Sequence, residues 1–233
     1  MTSNPIAISL QGVIKAFPLG NGRDLEVLNI PDLDLPAGSY TVLKGPSGSG
    51  KTTLLNLLAG ITTPTSGKIW LDGTDILALS EARRDRFRAE HIGYIFQTFN
   101  LLAPFTAIEN VLLAMMFAPK LPKRDQRQRA VGLLSKLGLK ERLSHRPHQL
   151  SRGEQQRVAI ARALANNPPV ILADEPCASL DPHTAREVLT EFLAVCQEEG
   201  KTVLVVSHDE GALQGANRIL DMTALNRAVG KPS

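Results

Sequence analysis

Gly45-Pro46-Ser47-Gly48-Ser49-Gly50-Lys51-Thr52 follows the short apolar run Tyr40–Lys44 and leads into Lys51–Ala59, whose spacing predicts a helix stopped by Gly60. The octapeptide satisfies G-x-x-x-x-G-K-[ST] at every position. Glycines let the backbone turn several N–H groups toward one point, and the helix behind them adds its unpaired amides and positive dipole end. Lys51 reaches the β and γ phosphates of such a ligand, and the Thr52 hydroxyl is placed to ligate Mg²⁺. A strand, this loop and a helix in that order predict an α/β fold that binds a nucleoside triphosphate.

Downstream, Val170–Ala173 and Thr202–Val206 are near-continuous apolar runs separated by a helical stretch from about Thr184 to Gln197. Runs of this kind suit parallel strands buried on both faces. The first delivers Asp174-Glu175 and the second Ser207-His208-Asp209 to the sheet edge where α/β folds bind ligands. Because strand side chains alternate, Asp174 and Glu175 are expected to point opposite ways. Asp174 suits a Mg²⁺ shell. Glu175 is the candidate general base toward an attacking water, and His208 the candidate partner of the γ-phosphate.

The N-terminal part, Ile6 to about Ile30, alternates β-like runs with the turn residues Pro18, Gly20, Asn21 and Gly22, which predicts an antiparallel flank. Lys68–Leu71 and Ile92–Phe96 are further strand candidates. Glu109–Phe117, Arg124–Lys136 and Ser151–Leu164 predict helices, the second with an apolar stripe of Ala130, Val131, Leu134 and Leu137. The fold expected is a P-loop NTPase core with a mostly parallel sheet, an antiparallel β flank and an inserted helical subdomain. The Arg83-Arg84-Asp85-Arg86 run predicts a solvated helix face.

Among 233 residues, 43% are hydrophobic and 21% charged, an ordinary globular balance that buries a core without metal or disulfide staples. The excess of 26 Lys and Arg over 23 Asp and Glu is too small to imply a nucleic-acid partner. Cys177 and Cys196 lack metal-ligand spacing and are expected as free thiols. No leader pattern is evident. No apolar run, of which Val111–Ala118 comes nearest, approaches the ~20 residues that cross a bilayer. A transport role would therefore need separate membrane subunits.

Leu150-Ser151-Arg152-Gly153-Glu154-Gln155-Gln156-Arg157 resembles the signature motif of ABC ATPases. Gln97 after Tyr94-Ile95-Phe96 resembles their Q-loop, Ala178-Ser179-Leu180-Asp181 their D-loop, and Ser207-His208-Asp209 their switch-histidine region. The chain is identified by these motifs as similar to ABC transporter ATP-binding proteins over nearly its whole length. It is most similar to the branch serving lipoprotein-release, macrolide-efflux and cell-division complexes.

The resemblance implies one ABC ATPase domain over 1–233, with about 98–165 forming the helical subdomain. It implies ATP and Mg²⁺ as ligands and a head-to-tail homodimer that sandwiches two nucleotides. Phe17 then stacks on adenine, while Gly45, Pro46, Ser47, Gly48, Ser49, Gly50, Lys51, Thr52 and Thr53 hold the phosphates. Ser151, Gly153, Glu154 and Asp181 contact nucleotide across the dimer. Glu175, His208, Lys51 and Gln97 are the catalytic set, and Thr52, Gln97 and Asp174 the metal set. An integral membrane permease is expected to meet Gln97–Phe105, where Phe99, Leu101, Leu102 and Phe105 look exposed; the chain would sit peripherally on the cytoplasmic face of the inner membrane.

Two other readings stay open: a soluble cassette outside transport, and a cassette that binds ATP with little turnover. Arg152 keeps the latter alive, since the signature usually has glycine there. Cys177 and Ala178 depart from the usual Thr-Gly. The missing Asp-Gly hairpin after Arg218–Met222 predicts fraying of the last strand pairing and of the tail Asn226–Ser233.

Overall fold

The computed structural model describes residues 5–20, 22–117 and 120–229. Asn21, Ala118 and the tail residues Gly230–Ser233, about which the sequence raised expectations, lie outside them. In chain order the strands and helices are β1 (Ile6–Pro18), β2 (Asp24–Pro36), β3 (Tyr40–Lys44), α1 (Lys51–Leu58), β4 (Ser66–Leu71) and β5 (Thr74–Asp75). There follow α2 (Glu81–His91), β6 (Ile92–Ile95), α3 (Ala107–Phe117), α4 (Lys123–Lys136), α5 (Arg152–Leu164), β7 (Val170–Asp174) and α6 (Pro182–Glu198). The last are β8 (Thr202–Val206), α7 (Glu210–Leu213), β9 (Arg218–Asp221) and α8 (Met222–Leu225).

The chain divides into two compact units, Met1–Asp85 with Leu204–Ser233, and Arg86–Val203. In the first, the strand order β2-β1-β4-β5 forms an antiparallel sheet. Its long hairpin pairs Leu10 with Leu33 and Phe17 with Leu25. Alternate residues Ile8, Leu10, Leu28, Ile30, Leu35, Ile69 and Leu71 are fully buried, each side chain contributing about 1.5–3 kcal/mol by leaving water. The same unit holds β3 paired in parallel with β9 (Val42 opposite Ile219), and the end of β8 beside β3, where the Ser207 N–H donates to Leu43 O at 3.3 Å.

In the second unit β6 pairs in parallel with β7, Tyr94 opposite Leu172. β8 starts there, its Thr202 N–H donating to Pro169 O at 2.9 Å. Every residue of β7 and β8 is buried, as their unbroken apolar runs require. The helices α3, α4 and α5 pack on one another. The buried face of α4 is Ala130, Leu133 and Leu134, with Leu137 just beyond. Val131, expected in that stripe, is only half-buried, and Leu133 is buried in addition. No residue of α2 is buried, so its arginines do lie on a solvated helix.

The tail departs from expectation. β9 is paired along its length with β3, and Asn226 is almost wholly buried and hydrogen-bonded, so the fraying expected from Asn226 onward is absent through Val229. Cys177 and Cys196 form no disulfide, and burial pushes the Cys196 thiol up to about 12.

Candidate functional site

In the first unit, β3 ends at Lys44 and Gly45–Gly50 turn directly into α1. Gly50 occupies the N-cap position at φ 93°, and a Cβ there would meet the Leu28 side chain at 2.7 Å, so only glycine fits. No side chain caps α1 and no acid stands in its first turn. Its opening amides are thereby left for an anion. The Lys51 ammonium folds back along the loop and donates to Gly45 O at 2.6 Å and Pro46 O at 2.9 Å. The Ser49 hydroxyl is buried in the loop without a hydrogen-bond partner, the type of orphan that a phosphate oxygen satisfies. Thr52 is exposed and Thr53 half-buried on the first turn of α1.

Phe17, near the end of β1, is 40% exposed, with Lys15 Nζ 4.8 Å from its ring centroid. His208 is the exposed second residue after β8. It follows buried Ser207, whose hydroxyl accepts the Asp209 N–H at 3.0 Å, and Asp209 in turn caps α7.

The second unit holds the carboxylates. Asp174 closes β7 and is buried, while Glu175 has left the strand with φ 43°. Regular strand geometry, on which the expected alternation of the two acids rests, thus stops at Asp174. A non-glycine residue held in that region costs on the order of 1–3 kcal/mol. The Gln97 amide donates to Glu175 Oε2 at 3.4 Å, bringing these two predicted residues together. Burial and, secondarily, the Asp174 charge push the Tyr94 phenol well above its ordinary range.

After Glu175 the chain makes two successive turns, Ala178 N–H to Glu175 O and Leu180 N–H to Cys177 O. Asp181 then caps α6 by accepting the Thr184 N–H at 3.0 Å. The Thr184 hydroxyl and then its amide hold the Asp181 carboxyl below its ordinary value.

At α5, Ser151 Oγ accepts the Glu154 N–H at 3.2 Å while Glu154 accepts the Ser151 N–H at 2.8 Å, a complete capping box. Burial works to raise the Glu154 carboxyl, but the Ser151 amide and the Arg142 guanidinium, 2.8 Å away, outweigh it and hold the group low. Gly153 is needed because a Cβ would stand 2.6 Å from the Thr184 methyl of α6. Arg152 extends to Ser179 O at 3.4 Å. It occupies an ordinary helical position in the first turn of α5.

The segment after Gln97 is fixed by two side chains that sequence reasoning passed over. Buried Asn110 accepts the Leu102 N–H at 2.8 Å and donates to Leu102 O, Phe105 O and Thr106 O. The Arg162 guanidinium donates to Phe99 O at 3.0 Å and to Asn100 O. Leu102 and Phe105 are 43% and 39% exposed. Phe99 and Leu101, also expected outside, are half-buried because their backbone is drawn against α5.

The sequence profile described as ABC transporter matches residues 28–178. The chain belongs to the ABC transporter family. It is an ATPase cassette of that family, with the α/β fold expected from its motifs. The chain is 42% identical, over 92% of itself and 97% of the relative, to the lipoprotein-releasing system ATP-binding protein LolD of Bacteroides fragilis. It is 45% identical over 92% of itself to the macrolide export ATP-binding/permease protein MacB of Rhodopirellula baltica, of whose length it spans only 31%. A solved dimer of the ATP-binding cassette MJ0796 in a post-hydrolysis state bound to ADP and Pi superimposes with a TM-score of 0.83 at 38% identity, covering 92% of this chain and 93% of that one.

Among the described residues no cluster of three His, Cys, Asp or Glu could hold a metal alone. No described helix is long and apolar enough to cross a membrane.

Proposed function

We propose that two copies of this cassette close head-to-tail around two ATP molecules and that the cycle drives a membrane permease. Phe17 stacks on adenine, and Gly45–Thr53 hold the phosphates, with Lys51 leaving the Gly45 and Pro46 carbonyls for the β and γ oxygens. The partner copy contributes Ser151 and Gly153, with Glu154 and Asp181 shaping the helix starts behind that contact. Thr52, Asp174 and Gln97 would hold Mg²⁺, which supplies neutralisation of the phosphate charge.

Glu175 accepts a proton from water as the water oxygen attacks the γ phosphorus. The bond from that phosphorus to the β–γ bridging oxygen breaks, giving ADP and phosphate, while His208 donates a hydrogen bond to the γ-phosphoryl group. The observation that carries the proposal is the Gln97–Glu175 hydrogen bond at the end of a buried strand that also presents Asp174. It supports reading Glu175 as an oriented base next in sequence to a carboxylate suited to a metal.

Residues about 98–165 act as the helical subdomain, and Leu102 with Phe105 forms the apolar contact for the permease. On this reading the chain sits peripherally, on the cytoplasmic side of the membrane. The LolD and MacB likenesses favour lipoprotein release or macrolide efflux as the kind of process served.

Glu175→Gln tests the chemistry. ATP binding is retained, turnover falls by about 10²- to 10⁴-fold, and an ATP-bound dimer accumulates on size exclusion. Turnover near the parent rate would remove Glu175 from the base role.

A further inference from the structure

Asn226 lies in the stretch where the sequence predicts a frayed tail, yet it is 1% exposed and uses the whole hydrogen-bonding capacity of its amide. Its Nδ2 donates to Val27 O at 2.9 Å and to Ser49 O at 3.0 Å. Its Oδ1 accepts the Asn29 N–H at 2.8 Å and the Ala228 N–H at 3.1 Å. Two carbonyls on one side and two amides on the other leave a single orientation for the group. The side chain thus joins β2, the segment after α8 and the phosphate loop.

The bond to Ser49 O has a geometric consequence. Ser49 C=O and Gly50 N–H belong to one planar trans peptide and point opposite ways. Fixing the carbonyl on Asn226 therefore fixes the direction of the Gly50 N–H, at the N-cap of α1. The packing around the loop is equally close. Met222 of α8 is fully buried against Gly45, where a Cβ would come within 2.8 Å, and Gly50 is backed by Leu28 of β2.

We propose that Asn226 is a positioning residue for nucleotide binding: it presets the Ser49–Gly50 peptide so that the Gly50 amide is aimed before phosphate arrives. The proposal rests on the reading of Gly45–Thr52 as the ATP cradle. In Asn226→Ala the peptide is released and two buried carbonyls lose their donor. Asn226→Asp keeps an acceptor for Asn29 and Ala228 but removes both donated bonds.

The test is calorimetric titration of ATP into the full chain, at a temperature well below the unfolding midpoint of each nucleotide-free variant, with Lys51→Ala alongside. Expected is a rise in Kd of about tenfold for Asn226→Ala and at least as much for Asn226→Asp, as loss of one well-placed hydrogen bond to a charged ligand predicts. If both variants have lower midpoints but bind ATP like the parent while Lys51→Ala binds weakly, Asn226 holds the fold alone and the proposal falls. If Lys51→Ala also binds like the parent, the cradle reading fails first and takes the proposal with it. Should Asn226→Ala not fold, Asn226→Asp is judged by the same result.

Discussion

Two helix starts in this chain are proposed to meet phosphate, and they are built in opposite ways. α1 begins at a glycine with no capping side chain and no acid in its first turn. α5 begins at Ser151 with a closed capping box, and its Glu154 is held by Arg142 besides. The first start leaves its amides to an anion, so its ligand completes the helix. The second is already satisfied by its own residues, and what it has to spare is the Ser151 hydroxyl hydrogen and the amides before Glu154. On the proposed cycle, the start that keeps ATP is the open one and the start that releases it is the closed one.

The sharpest way to break this contrast is at the open cap. Lys51→Ala removes the only side-chain cation of the loop, and charged hydrogen bonds contribute about 1.5–3 kcal/mol. ATP affinity of the single chain is expected to fall by on the order of 10- to 100-fold by calorimetry, and an unchanged affinity would contradict the assignment. At the closed cap, Ser151→Ala is expected to leave single-chain ATP affinity within about twofold. Turnover should fall by about tenfold through loss of one hydrogen bond to phosphate in the dimer. A loss of single-chain binding equal to that of Lys51→Ala would erase the distinction.

The smallest effect concerns Glu154. Its folded carboxyl is held below its unfolded value, so the stability it adds is complete above the unfolded value near 4.5 and is lost as pH falls through the lower folded one. Glu154→Gln is expected to be less stable at neutral pH by no more than about 1 kcal/mol. The difference should shrink progressively as pH falls below about 4.5 in urea denaturation; a gap that does not change with acid would show that the carboxylate charge is not what the cap uses.

Much of this was legible in residues. Tyr40–Lys44 and Thr202–Val206 emerge as strands with the bounds read from sequence, because unbroken apolar runs between turn signals have few other solutions. Gly60 and Gly138 end their helices with positive φ for the same local reason. What stayed hidden is non-local. The left-handed step at Glu175 is imposed by surroundings, since the residue type does not favour it. Asn226 reaches Ser49 across 177 positions, a pairing that no periodicity announces. Asn110 and Arg162 act on backbone carbonyls, which any sequence supplies, so nothing in the residues they grip marks the grip.

Those last two side chains also decide how the segment after Gln97 carries load. Leu102 and Phe105 stand outward on a stretch bolted to α3 at Asn110 and to α5 at Arg162. The same α5 begins at Ser151, and the stretch itself begins at Gln97, whose amide touches Glu175. On the function proposed above, a permease pressing on Leu102 and Phe105 would meet a loop anchored to both helices.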